Sequence, residues 1–305
     1  MLTMLQEISS RSWQLPYNPE NAIGEILGQR AVKGQKPSPD FICPFLDSRC
    51  VKRSTQRHGE AYPICSLWRG AAPDPTVTRQ DAKANLIAVC PKRFYAIDFF
   101  KDVVAHCWPG PTPSQTVITR EIKMGGFGNV DFVIAEINKG KIGQFLSVEL
   151  QTVDITGTAF PAYEAICGGY DMPTRSSHGF NWKNVYKRYI TQLIHKGFLH
   201  QHWRSKIIAV IPDQVYDEIW KHGKFVVAQD VRDIQTSIVF MTYRLEPDFT
   251  RPGEFVPVLQ RVVGTSHSAL QSAILYNELL PRDTFTTRVL GSIDRTIDLS
   301  GINRP

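Results

Sequence analysis

The chain has 305 residues, 42% hydrophobic and 21% charged, the make-up of an ordinary globular protein able to bury one large core or two modest ones. A formal charge of +6 and a pI near 9.0 suit a polyanionic partner without demanding one. The opening stretch "MLTMLQEISSRSWQLP" lacks the basic-then-apolar order of a secretory signal, and no apolar run approaches the ~20 residues of a membrane span. With no N-x-S/T sequon, the six cysteines are expected in a reducing, cytoplasmic setting, where metal binding or burial outcompetes disulfide formation.

Residues 1–40 read as a helical arm, because "PENAIGEILGQRAV" carries apolar residues at helical spacing before "KGQKPSPD" ends it. Residues 41–113 change texture to loops rich in proline and cysteine, in which "DAKANLIAVC" fits a short helix or a strand. The stiff connector "WPGPTPSQ" then suggests a boundary before a third unit, 114–305. There "QTVITREIKM", "NVDFVIAEI" and "QFLSVELQ", separated by "GGFG" and "NKGKIG", predict a three-stranded antiparallel meander. A long helix follows in "NWKNVYKRYITQLIHKGFLHQHW". "KIIAVIPD" reads as a strand covered on both faces, "QVYDEIWKHG" as a helix, "SIVFMTYRLE" as the final strand and "SHSALQSAILYNELLP" as a late helix. The fold class expected is α/β.

Two strands of the meander carry acid where the apolar pattern asks for none. Asp131 opens "DFVIAEI", and Glu149 and Gln151 close "FLSVELQ", with both members of the Glu-x-Gln pair on one side of the strand. Their neighbours are too apolar for a solvated face, and a buried, unpaired carboxylate is costly. Two carboxylates and an amide oxygen are hard ligands that suit Mg²⁺, and Mg²⁺ beside a phosphodiester promotes hydrolysis. Glu121, on the partner strand of the "GGFG" hairpin, is a candidate third carboxylate, the alternative being a surface pair with Arg120 or Lys123. Lys123 is also a lesser candidate for a catalytic lysine. "GGFG" is no phosphate-cradling loop, because no helix with Lys and Ser/Thr follows it.

Cys43, Cys50, Cys65 and Cys90 lie in "FICPFLDSRCVK", "YPICSLW" and "AVCPKRF", all within the segment that has least core of its own. Four thiolates bind zinc or iron and lend folding energy to such a segment, the alternative being free, buried cysteines. Cys107 and Cys167 stand apart.

An Asp followed, after a short gap, by Glu-x-Gln, a helix and an apolar strand resembles the PD-(D/E)xK nuclease superfamily, with Gln151 where lysine is usual. Together with the cysteine-rich "CPF", "PICS" and "CPKRF", the stretch from Phe41 to Trp203 is similar to the NotI family of restriction endonucleases. The resemblance implies a type II site-specific deoxyribonuclease of a prokaryotic cytoplasm, a restriction-endonuclease-like core with a small Cys₄ module, and Mg²⁺-dependent cleavage of double-stranded DNA. It further implies a homodimer on a GC-rich palindrome, with Asp131, Glu149 and Gln151 catalytic and Cys43, Cys50, Cys65 and Cys90 binding iron. The residues alone suggest zinc. Candidates for DNA contact are Arg53, Gln56, Arg57 and His58 in "RSTQRHGE", and Asp171, Arg175, Ser176 and His178 in "GYDMPTRSSHGFN". Lys183, Lys187, Arg188 and Lys196 on the long helix are phosphate candidates. The rival readings are a structure-specific repair nuclease of the same fold and a catalytically inactive DNA-binding protein.

Overall fold

The computed structural model describes residues 21–54, 59–70, 86–171, 178–276 and 280–293. The chain begins with two short antiparallel strands, β1 (Ile23–Ile26) and β2 (Gln29–Arg30), then the pair β3 (Ile42–Cys43) and β4 (Ser48–Arg49). β5 (Ile64–Trp68) and β6 (Leu86–Ala88) join the first pair in a four-stranded sheet of order β2-β1-β5-β6. A 3₁₀ segment, Pro91–Ala96, leads to α1 (Phe99–Cys107). The meander is β7 (Thr116–Lys123), β8 (Asn129–Asn138) and β9 (Lys141–Leu150), followed by β10 (Ile155–Gly157), α2 (Phe160–Gly168) and β11 (His178–Phe180). Next comes an unbroken helical stretch: α3 (Trp182–Asn184), a π-helical segment (Val185–Ile190) and α4 (Thr191–His202). β12 (Lys206–Pro212), α5 (Asp213–His222), β13 (Ile238–Pro247), β14 (Phe255–Thr265), α6 (His267–Leu275) and α7 (Arg282–Leu290) complete the described chain.

The central sheet has six strands in the order β14-β13-β12-β9-β8-β7. β12 runs parallel to both β9 and β13, and the remaining neighbours are antiparallel, so the sheet is mixed. Both faces are covered. Ile207, Ala209 and Ile211 of β12 pack against Val185, Tyr189 and Leu193 of the long helix and against α2, α5 and α6. Ile208 and Val210 point the other way, with Phe132, Ile134, Leu146 and Val148, onto Phe94, Phe99 and Val103. Strand alternation thus produces a three-layer α/β/α core, and the almost continuous apolar run of β12 is what a strand buried on both faces needs.

The meander, the long helix and the strand "KIIAVIPD" form as their patterns predict. Two expectations need correction, and one open alternative is decided. From Asn21 onward, "PENAIGEILGQRAV" is not a helix but the β1–β2 hairpin. Leu27 and Gly28 turn it with φ of 49° and 77°, the paired positive values of a two-residue hairpin loop. Gly24 adds a packing reason, since a Cβ there would lie 2.2 Å from Leu86 Cδ1 of β6. Within "DAKANLIAVC" the described residues take the strand alternative. β13 is not the last strand, because β14 pairs with it along its whole length and forms the sheet edge, where Pro257 is tolerated. Two helices are also present where loops were expected: α1, whose cap Asp98 accepts from Lys101 N, and α2, which ends on left-handed Gly169.

Candidate active site

β8 and β9 pair antiparallel with Phe132 opposite Val148, and both of these residues enter the α1-side core. Asp131 and Glu149 are the residues just beyond that pair, one on each strand, and they lie close enough for the Asp131 charge to act on Glu149. Asp131 Oδ2 accepts from Leu150 N at 2.8 Å, which ties the acid of one strand to the backbone of the next. Glu149 is paired with Lys196 of α4, whose Nζ also donates to Asn129 O at 2.7 Å. Lys196 is only 4% exposed, so this lysine is a core residue and not part of a solvated helix face.

Lys196 reaches the strands because α4 comes unusually close to the sheet. The adjoining Gly197 packs on β13, where an added Cβ would stand 2.6 Å from Ile238 Cγ1. The π-helical segment just before α4 widens the helix and buries Val185, Tyr189 and Ile190. The Tyr189 hydroxyl is enclosed without a hydrogen-bond partner among the described residues, and burial, then the charges of Glu149 and Asp131, push its pKa well up. Burial likewise pushes the Glu149 carboxyl up to about 7; Lys196 pulls it down and Asp131 adds to the rise. One turn along, burial and then the Lys196 charge bring His200 down to about 3, so its ring is neutral.

Gln151 follows the end of β9. Its backbone N donates to Val210 O at 3.1 Å and its side-chain Nε2 to Thr152 O at 2.6 Å. It lines a polar cleft with Asp154, Asn184, Arg188, Tyr189 and Gln192. A second cleft is lined by Lys92, Tyr95, Arg120, Glu121, Asp131 and Leu150. Glu121 falls across from Asp131 between the pairs Arg120–Phe132 and Ile122–Val130, but its backbone is left-handed, with φ of 53°, and the side chain is exposed. Neither the surface pair with Arg120 nor that with Lys123 forms; Arg120 stacks on Phe132 at 5.8 Å. Lys123 lies exposed at the end of β7, and the lysine at the carboxylates is Lys196.

The four cysteines are brought to neighbouring strand ends: Cys43 closes β3, Cys50 follows β4, Cys65 lies in β5 and Cys90 follows β6. None forms a disulfide. Burial raises the Cys90 thiol, and Cys50 and Cys43 raise it further; Cys65 is raised by burial, Glu25 and Cys90. Lys52 sits among them, donating to Ile64 O at 3.0 Å and feeling the charges of Cys90, Cys65 and Cys50. Among the described residues, however, no set of three or more His, Cys, Asp or Glu side chains stands in metal-binding geometry.

The candidate DNA contacts are scattered. Arg53 folds back onto Cys50 O and Lys52 O at 2.7 and 2.9 Å, and Asp171 is exposed and paired with Lys33 at 2.6 Å. His178 is buried on β11, its Nε2 at 2.8 Å from Asn21 O. Lys183, Lys187 and Arg188 are exposed on the long helix, and of these Arg188 lines the cleft with Gln151. Gln56, Arg57, His58, Arg175 and Ser176 lie outside the described residues.

A mixed sheet between helical layers, with an acid from each of two adjacent strands meeting near its margin, is compatible with a nuclease core. The family model for restriction endonuclease NotI matches residues 25–255, most of the chain, and the chain belongs to that family. It is a type II restriction endonuclease, a site-specific deoxyribonuclease acting on double-stranded DNA. No match was found among curated proteins or among solved structures. No helix among the described residues is long and apolar enough to cross a membrane.

Proposed function

We infer that the enzyme is built on the PD-(D/E)xK plan and hydrolyses DNA phosphodiesters with Mg²⁺ where Asp131 approaches Glu149. The approach of these two acids at the end of the β8–β9 ladder, where Asp131 is bonded to the residue beside Glu149, carries the reading. Asp131 Oδ1 and Glu149 Oε2 have no protein partner among the described residues. Two such hard oxygens fit Mg²⁺, which takes one or two carboxylates and keeps several waters. Bound there, the ion supplies Lewis acidity to the scissile phosphoryl group and to the attacking water.

The chain's own groups position the reaction. Leu150 N holds Asp131 in place through Oδ2, leaving Oδ1 to the site. Gln151 orients ligands through its amide and neither takes nor gives a proton. Attack by water gives 5′-phosphate and 3′-hydroxyl ends. Arg188, with Gln151 on one cleft wall, suits a phosphate contact, and Lys183 extends the same basic helix.

A homodimer on a GC-rich palindrome follows from the family, since a two-fold complex sets one site on each strand. The convergence of Cys50, Cys65 and Cys90 on Lys52, with Cys43 acting on Cys90, supports a structural iron, or else zinc, ion at Cys43, Cys50, Cys65 and Cys90, with no part in the chemistry. A cytoplasmic location in a prokaryote completes the reading.

Asp131→Asn tests it. Plasmid cleavage in Mg²⁺ is expected to be lost while retention of the same plasmid fragment in Ca²⁺ persists. Undiminished cleavage by this variant overturns the site. Discrete fragments from the unaltered protein support sequence-specific cutting, whereas smearing or junction-only cutting supports the repair-nuclease alternative.

A further inference from the structure

The positive charge at this site comes from a residue far along the chain. Gln151 is neutral, and the cation paired with Glu149 is Lys196. Its ammonium has three hydrogens and two protein acceptors among the described residues. One acceptor is the Glu149 carboxylate on β9, and the other is Asn129 O on β8, two residues from Asp131. A single side chain from α4 therefore bridges the two strands that carry the acids. It also holds Glu149 through Oε1 and leaves Oε2 to the site.

We propose that Lys196 is a positioning residue for DNA cleavage: it fixes Glu149 relative to Asp131 and supplies the positive charge that the neutral Gln151 lacks. This rests on the nuclease site proposed above. The placement is specific to cleavage chemistry and not to general packing, because an apolar side chain at this buried position would fill the space without ordering a carboxylate. Gln151 stands two residues beyond Glu149, just past the end of β9, separated from it by Leu150, whose N holds Asp131. A lysine placed there tests whether a charge carried from the strand end replaces the one carried from α4.

Four proteins decide the matter: wild type, Lys196→Gln, the double variant Gln151→Lys/Lys196→Gln, and Asp131→Asn. The probe is a plasmid that the wild type cuts, with retention of a mapped fragment in Ca²⁺ reporting binding and thermal unfolding reporting the fold. Glutamine at 196 keeps an amide donor for Glu149. Lys196→Gln is expected to cut about 100-fold more slowly or worse, the scale of losing one pre-set charged donor, with fragment retention unchanged. The added Gln151→Lys is expected to restore at least about tenfold of that loss, a rescue that a purely structural lysine does not allow. Cleavage by Lys196→Gln close to the wild-type rate overturns the assignment, as does an equal rate with and without Gln151→Lys. If Lys196→Gln fails to fold, the double variant decides alone: a folded, cutting protein supports the assignment and an uncut plasmid overturns it. A wild type inactive in both Mg²⁺ and Mn²⁺, or an active Asp131→Asn, strikes instead at the nuclease site itself.

Discussion

One turn beyond Lys196, the His200 ring is fully buried between Phe145 and Trp203, and neither of its nitrogens has a hydrogen-bond partner among the described residues. A buried polar group left unmatched costs about 1–3 kcal/mol. Its pKa, brought down from 6.5 to about 3 by burial and then by Lys196, sets the sign of a pH effect. Below its ordinary pKa the unfolded ring gains a proton that the folded ring refuses, so stability falls as pH drops from 6.5 toward 3. Glu149 contributes the opposite slope: its folded pKa of about 7 lies above the ordinary 4.5, so folding favours the protonated acid between those values and loses stability as pH rises through them. A variant comparison separates the two. His200→Leu is expected to be more stable than wild type by about 1 kcal/mol at neutral pH, with the gap widening toward about pH 5. Urea unfolding at both pH values measures it, and curves that stay parallel mean that His200 is solvated.

At the scale of elements, legibility followed periodicity and turn chemistry. The β7–β8–β9 meander was readable because apolar runs are cut by "GGFG" and "NKGKIG", where Gly125, Gly128 and Gly140 do adopt positive φ. The same register made the meeting of Asp131 and Glu149 readable, since turn and alternation together set which residues face each other. Ile23, Ile26 and Leu27 mimicked a helix because four residues of a tight hairpin cover the same spacing, and only the Gly28 turn betrayed it. β14 escaped because Pro257 argues against a strand unless the strand is known to be an edge. Lys196 was legible only as a charged helix residue. Its partner lies 47 positions away, and what buries it is the approach of α4 to β13 over Gly197, a tertiary fact. That approach yields a prediction. Gly197→Ala would drive a Cβ to 2.6 Å from Ile238 Cγ1 and 3.2 Å from His267 Cβ, so the helix must lift. A loss of about 1–3 kcal/mol is expected, the usual range for overpacking, accompanied by slower plasmid cleavage as Lys196 moves with α4. Gly126→Ala, with open space around its Cβ, is the control. Equal urea midpoints for the two variants would remove the close approach as an organising feature.

Over the whole molecule, a buried ion pair is one of the ties between the small sheet, the cysteine-bearing loops and the central sheet, beside the bonds from Gln29 and Arg30 to Glu254 and Gly253. Arg93, three residues after Cys90, is 1% exposed and Glu25 of β1 is fully enclosed. Arg93 Nε and Nη2 contact the Glu25 carboxylate at 3.0–3.1 Å, Nη2 also donates to Phe255 O of the edge strand β14, and the guanidinium lies 4.7 Å from the Phe45 ring. One side chain therefore touches β1, the β3–β4 turn and β14. The planar fork suits this position, since it meets the Glu25 carboxylate through two nitrogens held in one plane while Nη2 also reaches the Phe255 carbonyl. The remaining Nη1 is buried without a partner among the described residues, so the pair is not an optimised source of stability. Its value lies in specifying how the two sheets dock, a role that predicts asymmetric costs. Arg93→Met strands the Glu25 charge in the interior and is expected to destabilise by about 3–5 kcal/mol. Arg93→Met with Glu25→Gln removes that stranded charge and is expected to recover much of the loss, because the penalty belongs mainly to the uncompensated carboxylate. Urea unfolding of the two single variants and the double variant closes the cycle. If the double variant is as unstable as the sum of the singles, the two side chains act independently and the fastening of the sheets must lie in the apolar contacts of Trp68, Leu245 and Phe255 instead.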